Sequence, residues 1–396
     1  MLQPRITQDH FKKLFWAIGL SASCAFLLSC KSGYNRLYED SDPDENAPVC
    51  SGNPSNSRLS SSGVKVYDLI SDLSCEKIED YVLSGQSVGF GNEADGNDEY
   101  RNYETLVKQL ASDTDKTVAI VSVDYEKTAL FTSGELDEAN EVLIEHHDKG
   151  GLVSISWTPQ NPWVDTQSDK LSPIDDSDLA VLYGDDTANE AYVAFNDRLT
   201  LVIEKLKALK DKNIPVLFSP FPEMNTKTYW YGAHDDNTEV KFKALWKHVY
   251  QTVNAAEVDN VLWVYAPRSG TTSQRVSALW GYPANLDIIS GISYSDEVNI
   301  SDYDKYRDQD KPMGMTRLAP TTSDGTFDNS KYVTELTDRY PYIAYWIAEH
   351  DTDNSDDAGT DNIRRSIYRN QEANKLMNAS DVASAETIVE KEWLKE

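Results

Sequence analysis

Eight short apolar runs, spaced by longer amphipathic ones, constrain this chain more than any other feature. They are SVGFGN (87–92), TVAIVSVDY (117–125), LVSISW (152–157), PVLFSPF (215–221), VLWVYAP (261–267), IISGISY (288–294), PMGMTR (312–317) and IAYWIA (343–348). Runs so nearly continuous in apolar residues suit strands buried on both faces, as in a parallel sheet. Between them lie stretches with apolar residues at three- and four-residue steps, among them EANEVLIEHHDKGG (138–151), ANEAYVAFNDRLTLVIEKLKALKDKN (188–213) and TEVKFKALWKHVYQTV (238–253). That spacing builds helices with one apolar face. Eight strand–helix units predict a closed (β/α)8 barrel, for which a chain of 396 residues is ample. A doubly wound open sheet is the competitor, but no glycine-rich turn of the dinucleotide-binding type follows the first strand. In a (β/α)8 barrel the chemistry sits at the C-terminal ends of the strands. Here those ends carry Trp157, Glu223, Tyr265, Tyr294, Arg317 and Trp346.

The first 30 residues do not read as fold. Arg5, Lys12 and Lys13 precede an apolar stretch, Leu14 to Leu28, too short for a comfortable membrane span, and LLSC closes it. Such a leader ending in a cysteine resembles a bacterial lipoprotein signal. Cys30 would then be the first mature residue, lipidated and membrane-anchored on the periplasmic or cell-surface side. Removing residues 1–30, whose net charge is +2, takes the chain from −29 to −31. Residues 31–62 are polar and rich in Ser, Asn, Asp and Pro, the composition of a flexible tether. The barrel is then expected over 63–396. Cys50 and Cys75 remain in the mature chain, and in an oxidising compartment they are expected to pair.

The strong negative charge argues against nucleic acid, because no basic patch can neutralise phosphates. It favours a neutral ligand over an anionic one drawn by the bulk field. No His/Cys cluster has zinc spacing, and neither metal nor cofactor is expected. The acidic run DTDNSDDAGTDN (351–362) resembles a calcium loop in composition, yet Asp356 stands where the sharp turn needs glycine and Asn362 where a terminal glutamate belongs.

Several blocks in order resemble glycoside hydrolase family 26, mostly endo-β-1,4-mannanases. They are VLSGQ (82–86), GGLVSISWTPQNPW (150–163), PVLFSPFPEMNTKTYWYGA (215–233), FKALWKHVYQTV (242–253), NVLWVYAP (260–267), DIISGISY (287–294) and KPMGMTRLAP (311–320). The resemblance implies a retaining mechanism in which a glutamate ending strand four is the acid/base and a glutamate ending strand seven the nucleophile, with carboxyls about 5–5.5 Å apart. It puts Glu223 on the acid/base position and Arg317 on the nucleophile position. An arginine stays protonated and has no lone pair with which to attack an anomeric carbon. Facing Glu223 as in the family, it would pair with that carboxylate and hold it ionised, the wrong state for a general acid. Further departures are Thr158, Ser219, Pro222 and Thr226.

Glu223, Asn225, Tyr229, Trp230, Tyr231 and Tyr294 persist; Trp157 and Trp346 also end strands. The aromatics read as stacking platforms for pyranose rings, each weighed against an ordinary place in the core. The expectation is a monomeric, membrane-anchored protein that binds a β-mannan-like polysaccharide with hydrolysis lost or impaired. The alternative is an active mannanase-like hydrolase that uses Glu223 with a relocated nucleophile, Glu297 or Asp324 being the candidates.

Overall fold

The chain closes into a barrel of eight parallel strands, as expected. In the computed structural model, residues 48, 50, 53–76, 80–89, 102–126, 132–164, 178–234, 238–270, 275–352 and 363–395 are described. The leader, Cys30 and most of the acidic run 351–362 lie outside them. Strand β1 comprises Val82–Leu83 and Gly85–Ser87; then come β2 (Ile120–Glu126), β3 (Leu152–Thr158), β4 (Val216–Pro220), β5 (Val261–Tyr265), β6 (Ile288–Tyr294), β7 (Met313–Ala319) and β8 (Ile343–Ala348). Each pairs in parallel with its sequence neighbour, and β8 returns to β1 to close the ring. The first strand falls at 82–87, not over the run 87–92. The pairing Gln86↔Ala348 fixes it there.

Side-chain alternation sorts the strands' residues into two apolar layers. Leu83, Ile120, Leu152, Leu217, Leu262 and Tyr345 face inward and form one cluster. Val123, Ile155, Trp157, Phe218 and Trp346 face outward, in the cluster that also holds residues of the surrounding helices. Helices α1 (Ser61–Ser71), α2 (Gln109–Thr114), α3 (Ser133–Asp148), α4 (Glu190–Lys210), α5 (Thr238–Ala255), α6 (Tyr303–Arg307) and α7 (Ser330–Arg339) follow in order. Their starts are capped where the sequence allows. Thr132 and Glu135 exchange the two hydrogen bonds of a capping box at α3, and the Asn189 side chain accepts from the Ala191 N–H at α4.

Helix α1 lies under the barrel. Val66, Tyr67, Leu69 and Ile70 join the inner cluster and seal its N-terminal end, each large apolar side chain contributing about 1.5–3 kcal/mol on full burial. The chain before it is also fixed: the Ser55 N–H donates to Asp287 Oδ1 at 2.5 Å, and Tyr250 donates to the Ser55 carbonyl at 2.9 Å. The expected tether therefore does not run to residue 62; from about residue 55 the chain is packed, because Asp287 and Tyr250 supply partners for its backbone. Cys50 and Cys75 form a disulfide, with Cα atoms 5.9 Å apart.

One irregularity positions the site. Between β6 and β7 the pairing passes from Gly291↔Met315 to Ile292↔Arg317, so Thr316 is skipped. On the other side, β7 passes from Met315↔Trp346 to Leu318↔Ala348, with two residues opposite one. This is a β-bulge, which turns the following side chain to the other face. Met313 and Met315 point out to the helices. Strict alternation would send Arg317 out with them, and the bulge brings it into the barrel.

Candidate active site

Arg317 is the centre of a buried polar network at the C-terminal end of the barrel. Its Nη2 donates to Asp124 Oδ1 at 2.8 Å and to Ser156 Oγ at 3.4 Å. Its Nε lies 3.7 Å from Glu349 Oε2. Asp124 and Ser156 are register partners on β2 and β3 and face inward with Ile120 and Leu152. Glu349 follows directly on β8. Burial opposes the charge on Arg317, but Asp124 and Glu349 outweigh it and hold the guanidinium protonated more firmly than usual. The same Glu349 Oε2 accepts the Tyr294 hydroxyl at 2.7 Å, and its Oε1 lies 2.8 Å from His350 Nδ1. Burial, then Glu349, then Glu223 raise the Tyr294 pKa well above its ordinary value, so the phenol stays a donor. Gly89 is needed beside this group. Its φ is +74°, and a Cβ there would meet His350 Cδ2 at 2.8 Å.

Glu223 is presented from a strained turn. Phe221 and Glu223 both have left-handed backbones, φ +57° and +56°, which cost non-glycine residues of order 1–3 kcal/mol each and persist only when their surroundings hold them. Here the Phe221 N–H donates to the Trp157 carbonyl, the Glu223 N–H donates to the Ala266 carbonyl, and the Glu223 carbonyl accepts from Thr226. Asn225 clasps the next loop in both directions: its amide donates to the Arg268 carbonyl at 3.0 Å and accepts from the Arg268 N–H at 2.7 Å. Glu223 is left 12% exposed, with Arg268 Nη1 3.6 Å from its Oε2.

The expected ion pair between Glu223 and Arg317 is not what forms. Arg317 is drawn down to Asp124 and Glu349, and the cation beside Glu223 is Arg268. The aromatics also differ from a stacking platform. Trp157 and Trp346 are wholly buried, because alternation turns both outward, Trp157 onto Phe195 of α4 and Trp346 towards Tyr332 of α7. Trp230 and Tyr231 are buried in the loop after β4, where Trp230 Nε1 donates to the Pro159 carbonyl and the Tyr231 hydroxyl to the Pro222 carbonyl. Tyr229 stacks on Tyr231 and is 7% exposed. Thr158 faces inward, and among the described residues its Oγ1 is buried without a hydrogen-bond partner, as is Ser219 Oγ. Tyr294 is partly open, and Arg268 and Arg365 lie against its ring. Glu297 and Asp324 are exposed loop residues.

Four residues of this constellation escaped the sequence reading: Asp124, Glu349, Arg268 and Arg365. A fifth, Glu126, has φ +65° and binds Trp157 Nε1, the Gln160 N–H and Arg198. Burial raises its pKa against the pull of Arg198. The signal for three of them was present. Asp124, Glu126 and Glu349 are carboxylates at the ends of otherwise apolar runs, where an unpaired charge would be costly. Among the described residues, no group of His, Cys, Asp and Glu is arranged to hold a metal ion.

The sequence pattern of Glycosyl hydrolase family 26 matches residues 57–371. The chain belongs to that family. It is 26% identical over 286 residues to a mannan endo-1,4-beta-mannosidase of Bacillus subtilis (strain 168), spanning 69% of this chain and 76% of that one. It is 28% identical over 261 residues to mannan endo-1,4-beta-mannosidase A and B of Caldalkalibacillus mannanilyticus, spanning 62% of this chain and 50% of that one. Among solved structures, a Bacillus subtilis mannanase superposes with a TM-score of 0.71 at 25% identity, covering 84% of this chain and 95% of that chain. A β-mannanase of Bacteroides ovatus superposes with a TM-score of 0.59 at 20% identity, covering 83% and 96%.

Proposed function

We propose that this protein is an exported, lipid-anchored glycan-binding barrel that holds a β-mannan-like chain at its mouth and does not cut it by the family's double displacement. Arg317 stands, on this reading, where the family has its nucleophile, in KPMGMTRLAP. The observation that carries the proposal is the ion pairing of that arginine with Asp124 and Glu349 in a buried setting. A guanidinium fixed there offers no electron pair. Its positive charge also opposes the oxocarbenium-like charge that develops during glycoside cleavage. The relatives named as mannan endo-1,4-beta-mannosidases supply the ligand class. The groups left to meet it are polar ones at the mouth, Glu223, Arg268 and Tyr294.

A second reading is favoured by Glu349. It is a buried carboxylate beside Arg317 that accepts from Tyr294, the tyrosine that by resemblance lies next to the family's nucleophile. It is a better placed substitute than Glu297 or Asp324.

One experiment separates the two. The protein is titrated calorimetrically with β-1,4-mannotetraose, and the cell contents are then chromatographed. Binding with the tetrasaccharide intact is the expected result. Shorter products that vanish in Glu349→Gln would establish the relocated nucleophile instead. Metabolic labelling with a fatty acid, lost in Cys30→Ala, tests the anchor.

A further inference from the structure

Two guanidinium groups share one aromatic ring at the mouth. Arg268 Cζ lies 4.1 Å from the centroid of Tyr294 and Arg365 Cζ lies 5.1 Å from it. The two cations are therefore no more than about 9 Å apart. The ring itself is held by the bond from its hydroxyl to Glu349.

Neither cation is well matched among the described residues. Arg268 has among them Glu223 alone, at 3.6 Å, well beyond the 2.7–2.9 Å of a good charge-assisted bond. Arg365 makes no ion pair among the described residues. The nearby Asp351 gives its Oδ1 to the backbone N–H groups of Arg365 and Ser366 and its Oδ2 to the Ser366 hydroxyl. Glu349 is engaged by Tyr294, Arg317 and His350. Among the described residues, the Nε atoms of Arg268 and Arg365 are both buried without a hydrogen-bond partner, so neither guanidinium has its full set of acceptors there.

Resting on the glycan-binding reading above, we propose that the mouth is built for a sugar carrying a carboxylate, a uronate, held where Arg268 and Arg365 meet over Tyr294. The planar carboxylate matches the guanidinium fork and would supply the close acceptor that neither cation has among the described residues. The chain's charge of −29 does not forbid this. At physiological ionic strength its field is screened beyond about 8 Å, whereas these contacts are local. The expectation of a neutral ligand rested on the bulk field alone.

The test compares two tetrasaccharides with the same β-1,4 backbone geometry: mannotetraose, and its mannuronate counterpart with a carboxylate at each C6. Calorimetry at 0.15 M salt, roughly the physiological strength, gives both affinities. The uronate is expected to bind on the order of tenfold more tightly, the effect of one good charge-assisted hydrogen bond. In Arg365→Gln the ratio of the two affinities should fall to about one, and Arg365→Lys, which keeps the charge but loses the fork, should give an intermediate ratio. Equal affinities in the unsubstituted protein overturn the uronate assignment and leave the glycan-binding reading standing. So does a ratio unchanged by Arg365→Gln. Binding of neither sugar overturns both.

Discussion

Replacing Arg317 by methionine tests the network at the barrel mouth directly. The substitution keeps an apolar stem of similar reach and removes the charge. At an effective dielectric of about 20, unit charges about 4 Å apart attract by about 4 kcal/mol. Arg317 has two such partners, Asp124 at 2.8 Å and Glu349 at 3.7 Å. Against that gross attraction stands the cost of withdrawing a guanidinium from water, several kcal/mol, which the variant no longer incurs. What remains is the penalty of two buried carboxylates without their cation, about 3–5 kcal/mol. Urea unfolding of the two proteins at pH 7 measures it. A loss below about 1 kcal/mol would refute the account of Arg317 as a charge held by Asp124 and Glu349.

Two further outcomes follow from side chains away from that network. Trp230→Ala should lower stability by about 3–5 kcal/mol, as for a large buried aromatic, because Trp230 packs against Trp163, Phe195, Phe221 and Tyr231; a soluble variant with unchanged urea midpoint would contradict this, and would return Trp230 to the role of ligand platform. His146 is wholly buried, and burial lowers its pKa to about 4. Its folded value lies below the unfolded value of about 6.5, so the stability it contributes is present above pH 6.5 and is lost as pH falls towards 4, by roughly 3 kcal/mol. The unfolding free energy of His146→Leu should therefore fall less steeply over that window than that of the unsubstituted protein.

The barrel was legible because its evidence is periodic. Continuous apolar runs such as LVSISW declare two buried faces, and 188–213 declares an amphipathic helix; neither depends on distant residues. The first strand was displaced because SVGFGN is as apolar as VLSGQ, and pairing with Ala348 decides between them. The site was legible only in part. Glu223, Asn225 and Tyr294 stand at the mouth because they lie at strand ends or in the loops that follow. Trp157 and Trp346 do not, although they also end strands. Tracking alternation from Ile120 through Asp124, and from Leu152 through Ser156, would have turned Trp157 towards the helices. The same count fails at Arg317, since nothing in GMTRLA announces the bulge that turns it inward. Its partners could not be found locally either: Asp124 lies 193 residues before it in the chain.

That separation bears on how the protein is made. The first carboxylate of the network, on β2, is synthesised long before its arginine on β7, and the second, Glu349, comes later still. Until β7 and β8 have emerged, Asp124 has no cation to receive, and the upper barrel holds a charge that resists desolvation. The nascent early strands therefore gain little by collapsing on their own. Closing a loop of this length before its contacts reward it is slow, so the mouth is the last part of the molecule to become itself. A ribosome stalled before residue 317 would display an unclosed barrel that remains open at the top.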